Sequence, residues 1–167
     1  ILQKVKGIEH ILVVSRDTEA LALAREHGAR TLREDGNPEL NVALARAAAL
    51  VKGYAVSRIL VVPADLPFME PEDIEKIIEL GNQNQTVVIV PDRRKEGTNV
   101  LFLFPPDIIP FDYGVNSFQR HCDHARQAGA RLVVFENPSL ELDVDYPEDL
   151  AMVNGSILSV INPAEGK

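Results

Sequence analysis

The chain has 167 residues, 46% of them hydrophobic and 25% charged, which suits one globular domain with a sizeable core. Seventeen Lys and Arg against 25 Asp and Glu leave a formal net charge of −8; this argues against general nucleic-acid binding, which needs a basic face, and requires any phosphate-rich ligand to be neutralised locally by a metal, a few basic residues or helix N-termini. Cys122 is the only cysteine, so no intrachain disulfide can form, and no apolar run approaches the roughly 20 residues of a membrane span; a reducing cytoplasm is the expected compartment.

Residues 11–14 (Ile-Leu-Val-Val) are the first of four short apolar runs, followed by 59–62 (Ile-Leu-Val-Val), 87–90 (Val-Val-Ile-Val) and 132–135 (Leu-Val-Val-Phe). Branched runs bounded by polar or turn-forming residues read as strands buried on both faces, as in a parallel sheet. Asp17 or Thr18 can cap a helix that Gly28 ends, and residues 29–32 read as a short strand. Asn37 and Pro38 open an alanine-rich helix that Gly53 stops. Pro71 starts a third helix, with Glu72 and Asp73 in its first turn and Gly81 past its end. Residues 100–104 read as a further strand, Asn116 or Ser117 caps a fourth helix closed by Gly129, and Pro147 starts a fifth. Strands alternating with crossover helices predict a single α/β domain over residues 1–167. The expected architecture is a three-layer αβα sandwich on a mostly parallel mixed sheet, with ligands at the carboxyl ends of its strands.

The residues just after each apolar run therefore bear on chemistry. Asp65 follows the run at 59–62, within Pro63-Ala64-Asp65-Leu66-Pro67. It reads either as a turn Asp bonding its own backbone or as a carboxylate placed to ligate Mg²⁺, an ion that takes oxygen ligands and keeps one or two protein carboxylates beside phosphate oxygens. A second acidic site is Leu142-Asp143-Val144-Asp145-Tyr146-Pro147-Glu148-Asp149-Leu150. In extended backbone Asp143 and Asp145 share a face, where two anions need a compensating cation or donors. Asp145 also reads as a helix N-cap ahead of Pro147.

A strand leading into P-A-D-L-P and a later D-V-D-x-P-E-D-L are similar to the paired motifs of small GT-A-like nucleotidyltransferases, whose two acidic sites hold the metal that bridges the nucleotide phosphates. Two loops narrow the resemblance. Gly97-Thr98-Asn99 leads into the strand at 100–104, and Phe111-Asp112-Tyr113-Gly114-Val115-Asn116-Ser117-Phe118 leads into the fourth helix. G-T-N before a strand and F-x-x-G-x-x-S-F before a helix resemble the acceptor-binding loops of the phospholactate or phosphoenolpyruvate guanylyltransferases of coenzyme F-420 biosynthesis. Leu40-Asn41, ahead of the alanine-rich helix, is similar to that family's L-N-x-A-L segment near the nucleotide base. Glycines at 97 and 114 let backbone approach a ligand closely, and Ser117 stands at a helix N-terminus, where anions are favoured.

The resemblance implies transfer of GMP from GTP onto a small phosphorylated carboxylic acid, with release of pyrophosphate and with Mg²⁺ as cofactor. Asp65 and Asp145 would be catalytic through the metal, with Asp143 as a further ligand. Thr98, Gly97, Gly114 and Ser117 would seat the acceptor, Asn41 would lie near the base, and Arg93 would clamp triphosphate or acceptor carboxylate. Residues 93–95 (Arg-Arg-Lys) equally read as a solvated basic turn. His121 and His124 read as surface or interface residues, since a zinc site would need further ligands at suitable spacing. Other acceptors, such as a sugar phosphate or the molybdopterin cofactor, remain open alternatives, as does a non-catalytic nucleotide-binding module. A homodimer is a further open expectation on which the residues are silent. The family opens with a strand and a basic phosphate loop that nothing before Ile11 resembles. A longer polypeptide with roughly 30–50 residues upstream is therefore expected.

Overall fold

A computed structural model of the chain describes residues 1–36 and 39–142. Asn37, Pro38, Asp143 and Asp145 of the second acidic site and the helix expected from Pro147 lie outside those residues. The described elements are a 3₁₀ turn at Leu2–Lys4, then β1 (Leu12–Ser15), α1 (Thr18–Glu26), β2 (Arg30–Arg33), α2 (Leu40–Lys52), β3 (Ile59–Val61), α3 (Pro71–Leu80), β4 (Thr86–Pro91), β5 (Thr98–Phe104), α4 (Ser117–Gln127), β6 (Arg131–Val134) and α5 (Pro138–Glu141). No described helix is long and apolar enough to cross a membrane.

Local chemistry sets the helix ends. The Asp17 carboxylate accepts the Glu19 and Ala20 amides at 2.8 and 3.2 Å, capping α1. Pro71 sits in the first turn of α3, where Glu70 and Asp73 form a capping box. Asn116 occupies the N-cap position of α4 in a left-handed conformation, φ 57°, without a side-chain cap bond. The short helix α5, capped by Asn137, is an element that the sequence pattern did not indicate.

All six expected strands form, in the mixed and mostly parallel arrangement expected, divided between two sheets. β1 and β2 pair in parallel, while β3, β5, β4 and β6 form a second sheet in that order. Within it β4 and β6 are parallel and β5 runs against both β3 and β4. The reversal at β5 arises because residues 92–97 make a hairpin, too short for the crossover that a parallel partner needs. Burial on both faces holds only for the inner strands: β4 and most of β5 are buried, whereas β1, β3 and β6 are half-buried, each having one strand neighbour among the described residues.

The four-stranded sheet is the middle of three layers. Alternate side chains Val88, Val90, Val100 and Phe102 pack with Ile74 and Ile77 of α3, and the opposite set Val87, Ile89, Leu101 and Leu103 packs with Cys122 and Ala125 of α4. Gly81 closes α3 against the Phe102 ring, and a Cβ there would stand 2.2 Å from Cε1. Phe102 is 2% exposed and has nowhere to go. Gly81→Ala is therefore expected to lower the unfolding free energy by about 1–3 kcal/mol, measurable by urea denaturation.

Candidate active site

Because β3, β4 and β6 run the same way, their carboxyl ends and the start of β5 share one edge of the sheet. Asp65 lies four residues beyond β3, exposed, and makes no hydrogen bond or ion pair to any described residue. Arg93 follows β4, exposed, with its backbone N–H donating to the Glu141 carbonyl at 3.0 Å. Asn99 of β5, buried, donates from Nδ2 to the Leu140 carbonyl at 2.8 Å. These two bonds fix the chain at residues 140–141, immediately ahead of the second acidic site.

The two loops singled out from the sequence meet here. The Thr98 N–H donates to Ser117 Oγ at 3.0 Å, and the Phe118 N–H donates to the Glu96 carbonyl at 3.2 Å. Thr98 and Ser117 are 8% and 2% exposed, so their hydroxyls line the inside of the loop junction. Gly114 has φ 124°, which side chains other than glycine's rarely allow, and a Cβ there would press on Arg120 Nη2 at 3.3 Å. At Gly97 the group that comes close is the Asp92 carboxylate, 2.9 Å from where a Cβ would be. That carboxylate accepts the Glu96 amide and braces the β4–β5 hairpin. Asn41, in the first turn of α2, binds both backbone groups of one residue: its Oδ1 accepts the Tyr113 N–H at 2.7 Å and its Nδ2 donates to the Tyr113 carbonyl at 3.0 Å. Its amide thus ties α2 to the loop at 111–117.

Three further residues complete the junction, and one of them corrects a reading from sequence. His121 is fully buried, not a surface residue, because α4 turns Ser117, His121 and Ala125 inward on one face. The Ser117–His121 spacing of four residues was the available signal. Its Nε2 accepts the Asp112 N–H at 3.0 Å and its Nδ1 lies 2.9 Å from Thr98 Oγ1. Burial holds the imidazole neutral, with a pKa lowered to about 4. The Tyr113 ring meets it edge-on at 4.9 Å, with its phenol pKa raised by burial. Asp112 is held from outside by His124 Nε2 at 3.0 Å and Arg120 Nη2 at 3.4 Å.

Thus Asn41, Gly97, Thr98, Gly114 and Ser117 form one connected cluster, with Asp65 and Arg93 on the same edge of the sheet, and Asp143 and Asp145 outside the described residues. Among the described residues no three His, Cys, Asp or Glu side chains could hold a metal together. Asp65 is a hard oxygen donor with no competing partner among them, which fits one ligand of Mg²⁺.

Comparison with solved structures finds the same fold in other proteins. The chain matches 4-diphosphocytidyl-2C-methyl-D-erythritol synthase with a TM-score of 0.70 at 16% identity, covering 93% of this chain and 84% of that one. It matches CMP:2-keto-3-deoxy-manno-octonic acid synthetase with a TM-score of 0.64 at 12% identity, covering 95% and 85%. Sequence relatives are nearer. A phosphoenolpyruvate guanylyltransferase of Rubrobacter xylanophilus is 41% identical over 152 residues, 90% of this chain and 73% of the relative. That of Conexibacter woesei is 35% identical, over 95% of this chain and 71% of the relative. A 2-phospho-L-lactate guanylyltransferase of Methanocaldococcus jannaschii is 31% identical over 92% of this chain and 66% of its own length. Residues 1–157 match the family model described as guanylyl transferase CofC like, and the chain belongs to that family.

Proposed function

We propose that this protein is a guanylyltransferase that moves GMP from GTP onto phosphoenolpyruvate or 2-phospho-L-lactate and releases pyrophosphate. The observation that carries this reading is the 41% identity to a phosphoenolpyruvate guanylyltransferase over 90% of the chain. On this reading the product is the activated intermediate of coenzyme F-420 biosynthesis. The acceptor is a phosphate monoester with a second pKa near 6, so around pH 7 it is largely dianionic and already nucleophilic. Its phosphate oxygen attacks the α-phosphorus of GTP, the bond from that phosphorus to the bridging β-phosphate oxygen breaks, and pyrophosphate leaves. No general base is needed. His121, the buried imidazole nearest the loops, has both nitrogens committed to the protein.

The chain's work is then to hold two anions together. Thr98, Gly114 and Ser117 would seat the acceptor, with Gly97 shaping the hairpin and Arg93 at the mouth of the same edge. Asp65, with Asp143 and Asp145, would hold Mg²⁺, which would supply positive charge to offset the negative charge developing on the transferring group. The reaction itself is tested by a matrix of GTP, ATP, CTP and UTP against phosphoenolpyruvate, 2-phospho-L-lactate and 3-phosphoglycerate, scored by pyrophosphate release. Release with GTP and either of the first two acids is expected; release only with other nucleotides or acceptors would refute the assignment.

Acceptor seating has its own test. Thr98→Val combined with Ser117→Ala is expected to raise the acceptor KM by a factor of ten or more before the GTP KM moves, since a hydrogen bond to a charged group is worth about 1.5–3 kcal/mol. An equal rise in both KM values would count against the seating.

A further inference from the structure

The unexplained feature of the loop junction is its buried imidazole, and its hydrogen-bond polarity can be derived. A backbone N–H can only donate, so the Asp112 N–H makes His121 Nε2 an acceptor. The ring hydrogen must then lie on Nδ1, which donates to Thr98 Oγ1 at 2.9 Å. Thr98 Oγ1 and Ser117 Oγ are 3.4 Å apart and carry one hydroxyl hydrogen each, so their mutual contact can use only one of the two. The Ser117 oxygen already accepts the Thr98 amide, and the Thr98 oxygen already accepts from His121. One hydroxyl hydrogen is therefore left to donate outside the pair.

We infer that His121 is a positioning residue of the acceptor site: it locks the loop at 111–117 to the start of β5 and orients the Thr98–Ser117 hydroxyl pair as a hydrogen-bond donor. A donor is what a phosphate or carboxylate oxygen requires, and an acceptor turned the same way would repel it. The orientation starts from a main-chain amide, whose polarity cannot reverse. Arg120 and His124 support it from outside by holding the Asp112 carboxylate, and Asn41 does so by pinning the next peptide at Tyr113. His121 itself touches no substrate in this arrangement and acts through Thr98.

The inference rests on the reading of these loops as the acceptor site, and the experiment separates the two. Nitrogen-15 NMR of the imidazole in the intact chain should show Nδ1 protonated and Nε2 bare between about pH 6 and 8, whether or not substrate is present. Steady-state kinetics would then compare three variants. His121→Leu is expected to raise the acceptor KM at least tenfold while the GTP KM stays within twofold. His121→Asn, whose Nδ2 can stand where Nδ1 stood and still donate to Thr98, is expected to recover most of that loss. His121→Gln, which reaches toward Asp112 instead, is expected to recover less. Should the Leu variant fail to fold, the Asn–Gln pair decides alone. An Nε2-protonated ring, unchanged acceptor affinity, a parallel rise in both KM values, or Gln matching Asn would each overturn the inference. A wild-type chain inactive with every acceptor would instead overturn the functional reading, leaving the tautomer measurement to decide the hydrogen-bond polarity.

Discussion

Asp65→Asn is expected to reduce kcat for guanylyl transfer by about 100-fold or more while the fold stays intact. Metal-borne charge stabilisation is worth several kcal/mol, and each 1.36 kcal/mol is about a factor of ten in rate. Asn keeps the size and shape of the side chain but removes the charge. Asp65 is exposed and engages no described residue, so its loss opens no cavity and breaks no described pairing. The thermal midpoint should therefore move by no more than a few degrees. Adding Asp145→Asn should cost little beyond either single change, because residues that act as a unit are not additive. Pyrophosphate release in saturating Mg²⁺ and GTP gives the measurement. A loss below about fivefold would remove Asp65 from the chemistry and with it the shared-metal mechanism.

Acid should destabilise the wild-type chain more than His121→Asn. The folded-state pKa of His121 is depressed to about 4 from the ordinary 6.5. Between those values the unfolded chain binds a proton at this residue and the folded chain does not. Stability from this group is therefore complete above about pH 6.5, falls as pH drops from there toward 4, and levels off below. The groups facing the imidazole do not cancel the effect: the Asp112 carboxylate raises the pKa, but His124, Arg120 and above all burial lower it. A separation of this size corresponds to about 3 kcal/mol as an upper bound. Carboxylates held by cations or amide donors, such as Asp107 by Lys52 and Asp123 by Gln119 and Arg126, are also lost in acid but contribute equally to both proteins. Urea denaturation at pH 7 and pH 4.5 gives the comparison. Equal acid losses in the two proteins would show that His121 is not held neutral.

Much of the fold was legible in the sequence because its signals are local. Runs of branched residues need only their own backbone to favour strands, and Asp17, Pro71, Gly81 and Gly129 act within one turn of the helix ends they mark. All six strands and four of the described helices follow from such signals. The direction of β5 was within reach as well, since six residues cannot make a crossover, but the continuous apolar pattern of a buried strand is the same in either orientation. The short helix α5 escaped because four residues carry too little periodicity to register.

By itself the sequence determined the order of the elements, the sheet edge that carries Asp65 and Arg93, and the motifs by which the chain resembles its family; that Thr98 shares this edge follows from the reversal of β5. Tertiary structure alone decided what those side chains are bonded to. Asn41 and Tyr113 are 72 residues apart and His121 and Thr98 are 23 apart, so no local pattern could pair them. His121 looked like a surface residue because a histidine in a polar helix carries no mark of burial. It is buried because the same helix face begins with Ser117, which β5 draws inward through the Thr98 amide. Once Ser117 is fixed, the turn of the helix leaves the residue four positions later no other place to point.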